Sequence, residues 1–469
     1  MKLEKYWMNK FNLDDTIAAI STPMGEGGIG IVRLSGPQAL RIADAIFRAK
    51  DGAKLSKAKT FTVHYGHVVD NAEIIDEVLL TVMRAPKTYT KEDVVEINCH
   101  GGMQALKRVI ELAVSRGARI AEPGEFTKRA FLSGRIDLTQ AEAVLDVIRA
   151  RTEGSLKVAV DQLGGELAGN VRAIRDKVCG IAAEVEASID FPEEDLELSR
   201  KKDLIDKANG ALKEIEGLIK SYDKGMVYRE GVLAIICGKP NVGKSSLMNL
   251  LLKRDRCIVS PIPGTTRDAI EEIINLDGIP VRLVDTAGIS ETKDSLGKEG
   301  IKRSKKYLEL SDIVILMLDM STPISGADRE LVKLTGGKKR IVVANKIDSP
   351  RKTPAAAIKK IFKKEEIVEI SVRKKENIES LEGAICRVIL KGGMEQGEGA
   401  IVSNARQKEA LDKARASMLS VTKALQKDEP PDIVAIDLKE AISSLGFVTG
   451  ESVSDDILDR IFSQFCIGK

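Results

Sequence analysis

The chain has 469 residues, a formal net charge of +3 and 43% hydrophobic residues, which together indicate about three globular domains. With so small a net charge, any nucleic-acid contact must use local basic patches. The sequence shows no signal peptide and no run of eighteen apolar residues, so membrane insertion is not expected. Six cysteines without C-x-x-C pairing argue against a zinc site or a disulfide framework and predict reduced thiols in the cytoplasm.

The first part of the chain divides into a short extension, residues 1–14, and an α+β domain, residues 15–132. The domain mixes short strand patterns, glycine-rich turns and two helical stretches. The segment 25–30 holds four glycines in six residues, which implies close approach of the backbone to a ligand or to another segment. His64 and His67 lie in a strand-like alternation, where positions three apart face opposite sides, so a metal site is not expected there.

Two helical blocks flank the middle of the chain and are interpreted as two parts of one helical domain, residues 133–230 and 392–469. Apolar residues at spacings of three and four define one face of a helix in each block. These residues are Leu204, Ala208, Leu212, Ile215 and Ile219 in the first block, and Leu411, Ala414, Met418, Val421 and Leu425 in the second. P-loop modules have neighbouring termini, so we predict that the intervening module is inserted into one bundle; two separate bundles are the alternative.

The intervening module, residues 231–391, contains the sequence GKPNVGKSS at positions 238–246. It follows an apolar β-branched run and precedes a helical pattern, which is the context of a P-loop and disfavours a chance glycine-rich turn. Gly238 and Gly243 let the backbone N–H groups face a phosphate. Lys244 supplies a charge for the β- and γ-phosphates, and Ser245 a hydroxyl ligand for Mg²⁺. The residues expected on the phosphates are Asn241, Val242, Gly243, Lys244, Ser245 and Ser246.

Four further motifs identify the nucleotide as GTP. Each follows a strand pattern or lies where a switch segment belongs: Gly264–Asp268, Asp285–Gly288, Asn345–Asp348 and Ser371–Arg373. The carboxylate of Asp348 can accept both N–H donors of a guanine edge, which adenine does not offer. The nucleotide contacts expected from these motifs are Thr265, Thr266, Asp285, Thr286, Ala287, Gly288, Asn345, Lys346, Asp348, Ser371, Val372 and Arg373.

The predicted site lacks the glutamine with which Ras-like enzymes orient water, since Ile289 stands in its place. The amide of Asn241 beside the phosphates, with carbonyls near Thr265 and Thr266, could hold a monovalent cation where an arginine finger would put its charge. The alternative is that Asn241 braces its own loop, as Asn commonly does in turns. The residues alone leave both interpretations open.

The chain ends with two aromatic residues, Phe462 and Phe465, which are expected to dock the tail, followed by Cys-Ile-Gly-Lys. The final Lys469 does not match the usual acceptors for prenylation. From the sequence alone, Cys466 is as well explained by an inert thiol as by a catalytic one.

Several stretches together resemble one family, the tRNA modification GTPases called MnmE or TrmE. The resemblance covers residues 15–469 and is most specific in the Glu-Pro-Gly-Glu-Phe-Thr motif and the Cys-Ile-Gly-Lys ending. The matching stretches are residues 15–36, 89–102 and 121–140, the GTPase motifs and the tail.

The resemblance implies a multidomain α/β and α fold. An α+β tetrahydrofolate-binding-like N-terminal domain would form a homodimer, and a Ras-like P-loop GTPase domain, with a parallel-rich sheet and helices on both faces, would be inserted in a helical bundle. It also implies a folate pocket formed by Arg33, Glu96 and Arg135, with Lys469 nearby. A carboxylate such as Glu96 can grip the amino-pyrimidinone edge of a pterin. Many relatives have Lys where this chain has Arg135, which keeps the charge and changes the donor geometry.

For the GTPase module, the resemblance implies activation by K⁺, with Asn241, Ser260, Ile262 and Thr265 around the ion. Ser245 and Thr266 would hold Mg²⁺. The neighbouring residues of the switch I loop expected at the nucleotide are Pro261, Pro263 and Gly264, with Arg267 assigned to catalysis. Relatives have a switch II glutamate where this chain has Gly297, so Glu299 is the first candidate to replace it, with Glu291 and Asp294 as others. We therefore expect GTP binding with slower or differently assisted hydrolysis.

The resemblance further implies a flavoprotein partner, MnmG (GidA), which carries the FAD and joins the chain in a heterotetramer. Together they would install an aminomethyl or carboxymethylaminomethyl group on carbon five of the wobble uridine of certain tRNAs. A formyl- or methylene-tetrahydrofolate would supply the carbon, and Cys466 would be a reactive thiol. A ribosome-assembly or RNA-binding GTPase and a pure conformational switch are the alternatives, and folate binding distinguishes the first interpretation from both.

Overall fold

The computed structural model describes residues 14–190, 198–255, 272–285, 306–363, 365–390 and 399–469. The chain forms two compact units, each assembled from separated segments. The first unit contains the chain up to Leu145 together with Ala168–Ala211 and Lys413–Lys469, and the second contains Asp146–Leu167 and Leu212–Asp412.

The N-terminal part of the first unit is an α+β domain, as the sequence predicted. Its strands form a mixed sheet in the order β3-β4-β5-β6-β2-β1-β7, and two helices, α1 and α2, cover the apolar face. The elements in chain order are β1 (Ile17–Ile20), β2 (Gly27–Ser35), α1 (Ala39–Ile46), β3 (Phe47–Ala49), β4 (Thr62–Asp70), β5 (Glu73–Met83), β6 (Val94–Gly101), α2 (Met103–Ser115) and β7 (Arg119–Ile120).

The glycine-rich segment at the start of β2 allows close packing within this domain. A Cβ atom on Gly30 would lie 2.5 Å from Leu106 of α2, and one on Gly101 of β6 would clash with the backbone of Gly27. Additional side-chain atoms here would push the strand away from its neighbours. Gly30 therefore fits the interpretation of close approach to another segment, whereas a Cβ atom on Gly25, Gly27 or Gly28 would have no atom within 4 Å.

Helices dominate residues 125–190 and 198–230. The repeated apolar spacing and the near absence of β-branched runs favour helix here. These helices are α3 (Glu125–Leu132), α4 (Leu138–Arg149), α5 (Glu153–Leu163), α6 (Glu166–Asp190) and α7 (Leu198–Glu230). On α7, Leu204, Ala208 and Ile215 of the predicted stripe are buried, together with Ala211 and Leu218. Leu212 and Ile219 of the stripe are half-buried. They lie one residue, or about 100°, round the helix from the buried row.

The nucleotide module of the second unit is a sheet in the order β13-β12-β11-β8-β10-β9, parallel except for the edge strand β9. Its central strands are buried on both faces and read as continuous apolar runs, which is typical of parallel sheets. Its elements are β8 (Val232–Gly238), α8 (Lys244–Asp255), β9 (Glu272–Leu276), β10 (Ile279–Asp285), β11 (Ile313–Asp319), α9 (Gly326–Leu334), β12 (Lys339–Asn345), α10 (Ala355–Ile361), β13 (Glu366–Glu369) and α11 (Ile378–Ile389).

The chain closes with helices α12 (Ala405–Gln426), α13 (Pro431–Thr449) and α14 (Asp455–Phe462). Ala168–Ala211 and Lys413–Lys469 belong to the same unit, so the nucleotide module is inserted in a helical domain, as predicted. Phe462 and Phe465 are 2% and 5% exposed and pack among apolar residues of α3, α4 and α14. In the part of the chain that the structure describes, no helix has the length and apolarity to cross a membrane.

Candidate functional sites

The P-loop connects the end of β8 to the start of α8. The Nζ atom of Lys244 donates to the carbonyl oxygens of Gly238 and Lys239, at 3.0 and 2.9 Å, which fixes the ammonium group inside the loop. Gly243 has a φ of +104°, and a Cβ atom there would lie 2.7 Å from Nδ2 of Asn345. A side chain at position 243 would therefore be strained and crowded. The loop presents backbone N–H groups and the α8 N-terminus, which suit a phosphate.

Two oxygen atoms of a kind that divalent cations bind meet beside this loop. The Oγ atom of Ser245 donates to Oδ2 of Asp285 at 2.6 Å, which places a hydroxyl at the start of α8 against a carboxylate at the end of β10. Hydroxyl and carboxylate oxygens are the hard ligands that Mg²⁺ prefers. The described residues thus fit the predicted metal, although Thr266 lies outside them.

The loops predicted to hold the base are tied to the P-loop by one amide side chain. The Nδ2 atom of Asn345 donates to the carbonyl oxygen of Val242 at 2.7 Å, and its Oδ1 atom accepts from the N–H of Val372 at 3.1 Å. The Oγ atom of Ser371 donates to Oδ1 of Asp348 at 2.7 Å. This hydrogen bond is the largest cause that holds the pKa of Asp348 below its ordinary value, so the carboxylate is kept ionised as an acceptor.

These loops border a cleft of about 950 Å³ that the P-loop and the base-binding motifs share. Its wall also contains residues that the sequence motifs did not indicate: Asn249, Leu250, Lys253, Arg254, Ser349 and Lys375. Those from α8 recur at spacings of three and four from Ser246, so helical periodicity could have found them. Asn241 borders the cleft with an exposed side chain and a φ of +61°, a geometry that Asn tolerates in turns.

Most of the predicted switch segments lie outside the described residues. This holds for the assigned residues Ser260, Pro261, Ile262, Pro263, Gly264, Thr265, Thr266, Arg267, Thr286, Ala287, Gly288 and Glu299. Their assignments stay predictions.

A second candidate site lies in the N-terminal domain of the first unit, around Arg33. Arg33 of β2 and Glu96 of β6 are directly paired across antiparallel strands, and Nε of Arg33 donates to Oε1 of Glu96 at 2.8 Å. The guanidinium lies over the ring of Phe126, 5.6 Å from its centroid, and its Nη1 donates to the carbonyl oxygen of Gly468 at 3.3 Å. The predicted pair is thus brought together with the tail.

Arg135 approaches the same region through Tyr89. Its guanidinium lies 4.7 Å from the centroid of the Tyr89 ring, and the Tyr89 hydroxyl is 3.0 Å from Oγ1 of Thr127. Burial raises the pKa of the phenol, against the lowering effects of Thr127, Arg135 and Arg33. Both cations therefore lower the pKa of one half-buried phenol. Two guanidinium groups next to one aromatic ring suit an anionic or carbonyl-rich ligand.

The sequence motifs contained Tyr89 and Phe126 without assigning them a role. Both lie in stretches that resemble the family, which was the available signal. The tail reaches the start of α3, where the carbonyl oxygen of Lys469 accepts from the N–H of Phe126 at 3.2 Å; the assignment of Lys469 to a ligand stays a prediction. Cys466 is exposed. Among the described residues, no group of three His, Cys, Asp or Glu side chains is arranged to hold a metal ion.

A P-loop cleft with loops for a guanine base, joined to an α+β domain and a helical domain, defines a multidomain P-loop GTPase. A family model described as the MnmE helical domain matches residues 138–466, and one described as the GTP-binding protein TrmE N-terminus matches residues 16–135. The chain belongs to the MnmE family of tRNA modification GTPases, and it is a GTP hydrolase.

Individual relatives agree along nearly the whole chain. A tRNA modification GTPase MnmE from Carboxydothermus hydrogenoformans is 48% identical over 97% of this chain and 100% of the relative. The protein of the same name from Bacillus velezensis is 47% identical over 97% of this chain and 100% of that relative.

Solved structures resemble part of the chain. A variant of Aquifex aeolicus Era bound to GDP.AlF4- is 32% identical over 40% of this chain and 66% of that one, with a TM-score of 0.28. The G domain of the FeoB iron transporter from T. maritima is 26% identical over 34% and 98%, with a TM-score of 0.27.

Proposed function

We propose that this protein is a K⁺-activated GTPase that modifies carbon five of the wobble uridine of certain tRNAs, using a one-carbon unit from a tetrahydrofolate. It works as a homodimer with the flavoprotein MnmG (GidA), which carries the FAD. The product is an aminomethyl or carboxymethylaminomethyl group. The observation that carries this proposal is that one chain holds two sites of different chemistry: the nucleotide cleft and, in the N-terminal domain, the Arg33–Glu96 pair with Arg135 and Tyr89.

In the nucleotide cleft, the residues of the chain bind and orient GTP. Lys244 and the N-terminus of α8 neutralise the phosphates, and Asp348 selects guanine. Mg²⁺, held by Ser245 and water near Asp285, would supply charge at the β- and γ-phosphates. The exposed side chain of Asn241 at the cleft supports its assignment to K⁺.

In the N-terminal pocket, the residues fit the two ends of a folate. The carboxylate of Glu96 keeps acceptor capacity beyond its bond to Arg33, since each carboxylate oxygen accepts more than one donor, and can take the amino-pyrimidinone edge. The half-buried ring of Tyr89 suits a flat heterocycle. Arg33 holds the Glu96 carboxylate in place, and the exposed Arg135 suits the negative charge of the glutamyl group. Cys466, on the tail that approaches this pocket, is proposed as the reactive thiol.

The test is calorimetric titration of the full-length protein with 5-formyl-tetrahydrofolate. We expect saturable binding that falls at least about tenfold in Glu96→Gln, because the neutral amide turns one acceptor into a donor. Glu111→Gln, on the exposed face of α2, is the matched control and keeps the wild-type affinity. Absence of binding to the wild-type protein would refute the folate assignment and favour a purely regulatory GTPase.

A further inference from the structure

Arg340 connects four segments at one edge of the nucleotide module. It lies near the start of β12, and its Nη1 donates to the carbonyl oxygen of Val332 and to Oγ1 of Thr335, both at 2.9 Å, at the end of α9. Its guanidinium lies 5.1 Å from the centroid of the Phe362 ring, directly after α10, and pairs with Glu365, directly before β13. The ends of α9 and α10 therefore meet the starts of β12 and β13 at this edge.

Six lysines lie within three residues of Arg340 or of a residue that contacts it, and together they form what we call the basic edge. They are Lys333, Lys338, Lys339, Lys359, Lys360 and Lys363. Lys338 donates through Nζ to the carbonyl oxygens of Glu309 and Ser311 at 2.5 and 3.0 Å. The other five lysines are exposed, so their charges are accessible to a partner.

The charges at the basic edge do not balance. Glu365 and Glu366, the carboxylates at the start of β13, are both paired with arginines. The exposed carboxylates of the neighbouring segments are Glu309 and Glu330, two against six lysines. Among the described residues, none of the five exposed lysines forms an ion pair. The surplus of positive charge can therefore attract an anion.

The partial negative charge at the end of a helix explains only part of this surplus. Lys333 lies in the last turn of α9, and Lys359 and Lys360 lie in the last turn of α10, where cations are favoured. Lys339 lies on a strand, and Lys363 lies beyond the end of α10. An anionic partner accounts for all of these lysines.

We propose that the basic edge binds backbone phosphates of the tRNA substrate. With a net charge of only +3, the chain can hold RNA only through a local patch. In residues 331–340 and 355–363 the sole aromatic residue is Phe362, which is buried, so no ring is available to stack on bases. Lysines without such rings contact phosphates and do not read base sequence. The inference rests on the proposed function and adds where the tRNA is held.

The basic edge lies away from the nucleotide cleft. Strands β8, β10, β11 and β12 are parallel, so Gly238, Asp285 and Asn345 end their strands at one edge of the sheet. Lys339 begins β12 and lies at the opposite edge. A tRNA on the basic edge therefore leaves the cleft accessible to GTP.

The experiment measures binding of the full-length protein to an unmodified tRNA transcript with uridine at the wobble position, by fluorescence anisotropy at several salt concentrations. The variant carries Lys333→Gln, Lys339→Gln and Lys363→Gln. We expect at least about tenfold weaker binding at about 0.1 M salt, because three phosphate contacts are lost. The slope of log affinity against log salt concentration should decrease by about 2 to 3 for the same reason.

The matched control replaces Lys202, Lys213 and Lys220 with glutamine. These exposed lysines lie on one face of α7 and are interleaved with Asp206 and Glu216, so the net charge changes equally without a local surplus of cations. The control should keep the wild-type tRNA affinity and salt slope. Circular dichroism and titration with GTP confirm that both variants fold.

Three results would overturn the inference. They are wild-type tRNA affinity and salt slope in the basic-edge variant, an equal loss of affinity in the control, and a basic-edge variant that keeps tRNA binding but loses binding to vesicles of phosphatidylcholine and phosphatidylglycerol. The last result would show that the basic edge contacts a membrane surface. A wild-type protein that binds no tRNA would instead refute the proposed function.

Discussion

Asn345 and Asp348 show how single side chains connect the base to the phosphates. Both ends of the Asn345 amide bind the protein itself: its N–H donates to the P-loop, and its oxygen accepts from the loop at Val372. Asp348 keeps its second carboxylate oxygen for a ligand while Ser371 holds the first. The division of roles follows from the chemistry, since a neutral amide bridges a donor and an acceptor whereas a carboxylate only accepts.

We predict that Asp348→Asn lowers GTP affinity by at least about 100-fold, because the amide cannot accept both N–H groups of guanine. Xanthosine triphosphate, which has a carbonyl where guanine has an amino group, should bind the variant better than it binds the wild type. Competition with a fluorescent nucleotide measures both. Glu330→Gln, on the exposed side of α9, is the acid-to-amide control. Unchanged GTP affinity in Asp348→Asn would contradict the assignment.

Helix α3 is anchored by a buried cation. Arg129 is 1% exposed and donates to Asp15, Glu92 and Glu125 at 2.5 to 2.9 Å. Burial alone would raise the pKa of Glu125, but hydrogen bonds from Arg119, the Glu122 N–H and Arg129 outweigh it and lower the pKa. The network fixes the start of the helix that carries Phe126.

This network predicts a pH dependence for the first unit. The folded-state pKa of Glu125 lies below the unfolded value, so its contribution to stability is complete above the ordinary carboxyl pKa and is lost as pH falls through the lowered one. The urea concentration at the unfolding midpoint of the first unit should therefore decrease when the pH is lowered beneath about 4.5.

Arg129→Met should lower the free energy of unfolding of the first unit by about 3 kcal/mol at neutral pH, since it leaves carboxylates without their buried partner. It should also flatten the acid dependence. Arg108→Met, at an exposed ion pair of α2, should change stability by less than about 0.5 kcal/mol. If Arg129→Met keeps the wild-type loss of stability at acid pH, the network around Arg129 is not the cause of that loss.

The nucleotide module was predictable element by element because each motif joins one strand to one loop. Strand β8, the loop and helix α8 are consecutive, so local pattern sufficed. The N-terminal pocket depends on pairing of β2 with β6 and on the tail, which meet only in the folded chain. Arg33, Glu96 and Arg135 were therefore reached through family resemblance, and Tyr89 and Phe126 were missed. Leu212 and Ile219 were predicted on the buried face of α7 and lie at its edge, because the sequence does not show where a helix contacts its neighbours.

At the scale of the whole molecule, each pocket belongs to one compact unit. The described residues of the nucleotide cleft all lie in the second unit, and those of the Arg33 pocket in the first. A ligand that binds only the folded state stabilises the unit that holds its site.

We predict two calorimetric unfolding transitions with separate ligand responses. GTP with Mg²⁺ at 100 times its dissociation constant should stabilise the second unit by about 2.7 kcal/mol, which raises its midpoint by roughly 5–10 °C. 5-Formyl-tetrahydrofolate should raise the midpoint of the first unit only. ATP, as the control, should raise neither midpoint. One transition that responds to both ligands would show that the units unfold cooperatively.

The segment that leads into the nucleotide module and the segment that leaves it are in direct contact. The N–H of Val402 donates to Oγ of Ser221 at 3.0 Å, and a Cβ on Gly225 would clash with the Val402 carbonyl. A segment whose two ends already touch can be gained or lost by recombination without rerouting the surrounding chain. The architecture is thus compatible with an ancestor in which the helical domain was continuous and into which the GTPase module was later inserted.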